Sequence, residues 1–343
     1  NAEEINPNLN PKNISKVLRE VGVDRIGQDL VFSHLMGQSQ QLVYDLTCMF
    51  SRSMNISQAE KGYNKDRIQV PQINLALLCN AESGLPAMIR SMPGSLKDIR
   101  TLHNSISELD IRDKILILDR GFFSEEVMQF LASQEISYVI PARRNSNYYK
   151  TRIHLKGHLY YRERLIRCGR RKDGNKFLYL FEDQNLMVEE NDVLYRKLDD
   201  GKICKEELKE MMKRSGRILL ISNLDVPEKT VYEIYKKREQ VEKLFDSYKS
   251  TLSSDRLYLH DNESVFGHVF VSFLSLYAYS RIELALKKAD INDKLSPIDV
   301  LLEFSKVYHY DLGVQEQITE VPKKVLDIEA RLGLDIFPIF VRS

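Results

Sequence analysis

Tyr235, Arg238, Glu242 and Lys249 follow one another at intervals of three, four and seven residues. On a helix, at roughly 100° per residue, they fall within about 60° of each other around the axis. They lie in VYEIYKKREQVEKLFDSYKSTL, a run without Gly or Pro that follows a start signal at Asp225 and Pro227. Arg forks onto phosphate oxygens, Lys adds a point charge, and a carboxylate binds a hard cation. One stripe of these types can therefore serve a polyanion and a metal ion together. A charged stripe on a helix also has a plainer role as a solvated face. Here the apolar residues Ile234, Val241, Phe245 and Leu252 form a stripe centred some 40–60° away, so the charged stripe flanks the buried face. Residues at such an edge can point into a cleft.

Two further acids bear on that choice. Asp45 interrupts QLVYDLTCMF (41–50), a continuous apolar run that reads as a strand buried on both faces. A lone ionised carboxylate there is costly unless it is paired or coordinates a metal. Asp119 ends KILILD (114–119), a second short buried strand. Each acid also has a structural alternative. Asp45 can be satisfied by backbone N–H groups, Asp119 can cap the following turn, and Glu242 can pair with Arg238 or Lys249.

What decides is the order of elements that must position these groups. Two short helices fill 11–36, the first opened by Asn10-Pro11. After strand 41–50, INLALLCN (73–80) and LPAMIRSM (85–92) read as a hairpin. A helix LKDIRTLHNSISEL, strand 114–119, a helix capped by Ser124, and strand ISYVIPAR (136–143) complete β-β-β-α-β-α-β. This predicts an α/β, RNase H-like mixed five-stranded sheet flanked by helices. Strands 41–50 and 114–119 are neighbours in such a sheet, which brings Asp45 and Asp119 together. Glu242, on the last covering helix, can complete a trio. Three converging carboxylates suit Mg²⁺ or Mn²⁺, and two such ions about 3.5–4 Å apart can stabilise both oxygens of an in-line phosphoryl displacement.

The expected boundaries are an N-terminal helical segment at 1–38, core at 39–143, a β-rich insertion at 144–224, core with the Glu-bearing helix at 225–290, and a helical C-terminal region at 291–343. The insertion holds a hairpin turning at Asp173-Gly174 and a strand in GRILLISNL. A net charge of +1 hides local asymmetry: residues 141–172 carry eleven Lys or Arg against Glu163 alone, and 182–210 are acid-rich. Tyrosines interleave the basic stretch, which suits a DNA backbone and unpaired bases. The four cysteines are dispersed, which argues against structural zinc or disulfides and points to a reducing, cytoplasmic setting. Val265 to Leu286 is broken by charged residues and reads as a buried helix, so no membrane association is expected. The chain opens on Asn1-Ala2 without Met, which points to a truncated N-terminus.

Asp45 in YDLT, Asp119 in LDRGF, and the spacing Tyr235-x2-Arg238-x3-Glu242-x6-Lys249 together resemble DDE transposases of prokaryotic insertion sequences, in the group with a Y-R-E-K signature. PGSLKDIRTL (93–102) and GHVFVSFLSLYAYSRIE (267–283) extend the resemblance. It implies cleavage of double-stranded DNA at transposon ends and transfer of the freed 3′-OH to target DNA. It implies two Mg²⁺ or Mn²⁺ ions on Asp45, Asp119 and Glu242, and a dimer when bound to DNA on the nucleoid. Tyr235, Arg238 and Lys249 would hold phosphates near the cut, with Arg120, Arg143, Arg144, Arg162 and Arg164 as further DNA contacts. Some relatives hold a flipped base on a Trp of the insertion. This chain has no Trp, and Tyr148, Tyr149, Tyr160 and Tyr161 are the candidates for that task. Two alternatives stand beside this one: a domesticated, inactive DNA-binding protein, and an RNase H-like nuclease that only hydrolyses.

Overall fold

A computed structural model describes residues 10–62, 70–96, 98–107, 111–248, 256–257, 259–311 and 316–337. Two helices come first, α1 (Pro11–Val23) and α2 (Arg25–Gly37). Asn10 and Asp24 cap them by accepting from the N–H groups of Asn13 and Gly27, each at 2.9 Å. Strands β1 (Gln41–Ser51), β2 (Gln72–Asn80) and β3 (Pro86–Pro93) follow, then α3 (Asp98–Ser107), β4 (Ile115–Leu118), α4 (Glu125–Ser133) and β5 (Ser137–Pro141).

These five strands stand in the order β3-β2-β1-β4-β5. The pairs β1–β2 and β2–β3 are antiparallel, and β1–β4 and β4–β5 are parallel. This is the RNase H-like arrangement that the element order predicts. The strands β2 and β4 are almost wholly buried, which explains why they read as unbroken apolar runs rather than alternating ones.

The sheet does not end there. Strands β6 (Gly157–Tyr161), β7 (Arg164–Asp173), β8 (Lys176–Asp183) and β9 (Arg217–Ser222) add to it, with α5 (Gln184–Asp199) and α6 (Lys205–Met212) inserted before β9. Strand β9 pairs antiparallel with β5, and β8, β7 and β6 follow outward. The segment 144–224 therefore continues the core sheet and includes two helices besides its strands. An uncovered β5 would present an open edge, and the apolar β9 removes it.

After β9 come α7 (Glu228–Lys236), α8 (Glu239–Asp246) and the short β10 (Arg256–Leu257). The single helix expected from 227 is broken at Lys237-Arg238. The N–H groups of Lys237 and Arg238 bond back three residues to Ile234 and Tyr235, at 3.2 and 3.1 Å, and Val241 does the same to Arg238 at 3.0 Å. Such tightening marks a junction. The two halves rest on different strands: α7 packs on β5 and β7, whereas α8 packs on β1.

The chain closes with α9 (Asn262–Lys288), α10 (Pro297–Phe304), a two-stranded ribbon of β11 (His309–Asp311) and β12 (Glu316–Ile318), and α11 (Lys323–Leu332). The ribbon stands among the helices expected for this region. By length and composition α9 could cross a membrane. It packs against α1 and β3 through a face that buries Val265, Val269, Phe273 and Leu276, while Val271 and Leu274 are exposed. Helices α1 and α9 cross at Gly22 and Gly267, where a Cβ on either would overlap a backbone carbonyl of the other helix.

Candidate active site

The register of β1 against β4 ends with Tyr44 opposite Leu118. The next residue on each strand is an acid, Asp45 and Asp119, so the two are set side by side where β4 stops. Strand β1 runs on and meets β10 only at Phe50. Between those pairings, Asp45 to Met49 have no strand beside them on that edge among the described residues, and the sheet opens. Alternation along β1 puts Asp45 and Met49 on one face and Tyr44 on the other. Tyr44 meets Phe122 edge-on at 5.2 Å. The hydroxyl of Tyr248, just past α8, reaches Met49 Sδ at 3.9 Å, so α8 covers the Asp45 face.

Asp119 precedes a single 3-10 turn, Arg120–Phe122, without capping it through its side chain. Its carboxylate instead faces Arg238, with Oδ1 3.4 Å from Nη1. The other guanidinium nitrogen of Arg238, Nη2, donates to Glu242 Oε1 at 2.8 Å. One cation thus links the acid of β4 to the acid of α8. The side chain of Arg238 is 19% exposed and that of Glu242 57%, so the arginine forms the floor and the glutamate the rim. Burial works to lower the Arg238 pKa, but Asp119, Tyr235, Glu242 and Asp45 outweigh it and leave it raised. Asp45 therefore acts on the same guanidinium. One Asp45 oxygen also accepts from the Leu46 N–H at 2.8 Å, so its backbone role and its place in the cluster coexist. Tyr235 is largely buried beside Arg238, and burial raises its phenol pKa.

The structure thus groups Asp45, Asp119, Tyr235, Arg238 and Glu242. Lys249 lies outside the described residues. Among the described residues no three acid, His or Cys side chains stand close enough to hold a metal ion as arranged. The donors are nonetheless hard oxygens that already share one cation, the guanidinium of Arg238, and this chemistry fits a divalent ion.

The other expected contacts divide. Arg120 adjoins Asp119, and its Nε is buried with no hydrogen-bond partner among the described residues. Arg143 donates to the carbonyl of Gly121 at 3.0 Å, beside the Asp119 turn. Arg162, at the β6–β7 turn, donates to Glu239 at 2.9 Å and so ties the insertion to the start of α8. Arg144 and Arg164 are spent on acids of the insertion: Arg144 on Glu190 at 2.5 Å, and Arg164 on Asp183 and Glu189 at 3.5 and 3.2 Å. Arg167 and Arg217 share Glu182 in the same way, at 3.1 and 2.9 Å. The basic stretch and the acid-rich stretch were each visible in the sequence, but their mutual neutralisation depends on the sheet that stacks β7, β8 and β9. Among the tyrosines, Tyr149 is bonded to the backbone of Arg217 and Leu219, and Tyr148 to Glu125 and Lys176. Tyr161 packs on Tyr232 at 5.4 Å, whereas Tyr160 is 67% exposed.

Among solved structures, the chain is similar to the piggyBac transposase seen in a synaptic complex with hairpin DNA, at 11% identity and a TM-score of 0.41, with 94% of this chain and 59% of that one covered. It is also similar to the Mos1 transposase of a paired-end complex with the left transposon end, at 10% identity and a TM-score of 0.20, covering 40% of this chain and 47% of that one. The chain thus spans 59% of the length of the piggyBac protein it matches. No curated protein matches it significantly. The transposase DDE domain family matches residues 37–278, which run from the end of α2 through the sheet, the insertion and both α7 and α8 into α9. Over that span, which takes in Asp45, Asp119 and Glu242, the chain belongs to the DDE-domain transposases.

Proposed function

We propose that this chain is the catalytic domain of a transposase that cuts double-stranded DNA at insertion-sequence ends and joins the freed end to target DNA. The observation that carries this reading is the Asp119–Arg238–Glu242 linkage beside Asp45, at the point where the sheet opens. The family generally uses divalent metal ions. Here Asp45, Asp119 and Glu242 would hold two, Mg²⁺ or Mn²⁺. The chemistry supplied by bound ions is stabilisation of the attacking and leaving oxygens in an in-line displacement.

The remaining tasks fall to this chain's own side chains. Arg238, held at the floor of the cleft, presents a planar fork suited to a phosphate beside the cut. Tyr235 packs against it and fixes its direction. Lys249 is proposed as a second phosphate contact, and Arg120 and Arg143 line the Asp119 side of the same cleft. Tyr160 is the exposed aromatic best suited to stack an unpaired base. The active form is proposed as a dimer bridged by two element ends.

The test is cleavage of the element's own ends by the purified protein. Nicking should require Mg²⁺ or Mn²⁺ and yield joined as well as hydrolysed products. Asp45→Asn, Asp119→Asn and Glu242→Gln should each cut the rate by about a thousandfold or more, roughly 4 kcal/mol of barrier. Hydrolysis without joined products would favour a nuclease. Binding of the ends without any metal-dependent cutting would favour a DNA-binding relic.

A further inference from the structure

A second basic site lies away from the acids. The segment 151–156 returns across β7 so closely that a Cβ at Gly169 would overlap the carbonyl oxygen of His154. This contact walls a cavity of about 470 Å³ lined by Arg152, His154, Lys156, Arg170, Arg171 and Glu228. Arg170 is held by Asp225 at 2.7 Å and by the carbonyl of Val226 at 3.0 Å. Arg152, Lys156 and Arg171 are different. None of the three has a carboxylate partner among the described residues, although Arg171 donates to the carbonyl of Arg152 at 3.3 Å. By contrast, Arg144, Arg164 and Arg167 are neutralised by acids of β8 and α5. Three unneutralised cations at one concavity, with Glu228 as its acidic wall, form a site for an anion.

We infer that Arg152, Lys156 and Arg171 hold neighbouring backbone phosphates, at and beside this cavity, of the DNA on which the enzyme acts, several base pairs from the cut. The cavity's position gives the spacing. Glu228 opens α7 and Arg238 follows ten residues later, which at about 1.5 Å per residue is roughly 15 Å. Phosphates on one strand advance by about 3.4 Å per base pair along the duplex axis. A duplex lying along α7 therefore places a phosphate about four base pairs from the acids at the cavity. The insertion, whose sheet is continuous with the core, becomes a rigid ruler that fixes the duplex relative to Asp45 and Asp119. The contact reads backbone and not sequence.

This inference rests on the proposed function for the identity of the polyanion, but its readout is binding and not cleavage. Fluorescence anisotropy with a labelled duplex of arbitrary sequence, over about 50 to 200 mM salt, gives the slope of log affinity against log salt. The triple variant Arg152→Gln, Lys156→Gln, Arg171→Gln should lower that slope by about two to three, near 0.9 for each lost phosphate contact. The charge-keeping double variant Arg152→Lys, Arg171→Lys should retain the original slope, which a merely structural role for the arginines would not predict. Should the triple variant melt early, Lys156→Gln alone, at an exposed position, should lower the slope by about one. An unchanged slope in a folded neutral variant overturns the site and leaves the cleavage reading intact. Failure of the unsubstituted protein to bind any duplex overturns both.

Discussion

Arg238 is the residue on which the site turns. It is bonded to two of the three acids and lies in the field of the third. A divalent ion and this guanidinium compete for the same carboxylate oxygens, so Arg238→Gln should tighten Mn²⁺ binding by about tenfold, roughly 1.4 kcal/mol. The same change should weaken DNA binding by removing a phosphate fork. Titration of Mn²⁺ followed by electron paramagnetic resonance measures the first effect and anisotropy the second. Weaker Mn²⁺ binding in the variant would show that the arginine orders the acids more than it competes for them. Asp45 and Asp119 were conspicuous in the sequence because each sits in or at the end of an apolar strand, and Glu242 because it falls on one helix stripe with Tyr235 and Arg238. The competition was not, because spacing along a helix shows that Arg238 can reach Glu242 but says nothing of Asp119 on a distant strand.

At the scale of elements, the five core strands were legible because each is a short apolar run with clear turn residues at its ends. Two features were not. The break between α7 and α8 falls in Lys237-Arg238, both good helix formers, where the two halves turn to different strands, β5 and β7 against β1. The union of the insertion with β5 depends on pairing between residues far apart in sequence, such as Ile140 with Ile221, and no local pattern encodes it. The crossing of α1 and α9 carries a prediction of its own. Gly267→Val should force a side chain into the carbonyl of Leu18 and destabilise the fold by about 2 kcal/mol or more. Chemical denaturation measures this, and an unchanged midpoint would mean that the helices separate freely at that point.

For the whole molecule, α1 is also fastened to α9 by charge. Asp261 caps α9 by accepting from the Ser264 N–H at 2.8 Å, and it receives Arg19 of α1 at 2.9 Å. The Arg19 hydrogen bond, aided by those from Ser264, lowers its carboxyl pKa to about 2. A carboxyl held below its unfolded range stabilises the fold above about pH 4 and loses that contribution as pH falls toward 2. Asp261→Ala should cost about 1 kcal/mol near neutrality, the usual worth of a cap, and should flatten the acid limb of the stability profile. The larger design is one sheet spanning core and insertion, with the acids where it opens and unneutralised cations at a second point along α7. Its central claim is that Asp45, Asp119 and Glu242 form a metal site where Arg238 now links two of them. Crystals soaked in Mn²⁺ and examined by anomalous scattering test this most directly. Mn²⁺ should be bound by all three carboxylates, with the guanidinium of Arg238 displaced from Asp119 and Glu242. Mn²⁺ bound elsewhere, with the Asp119–Arg238–Glu242 linkage intact at saturating ion, would contradict it.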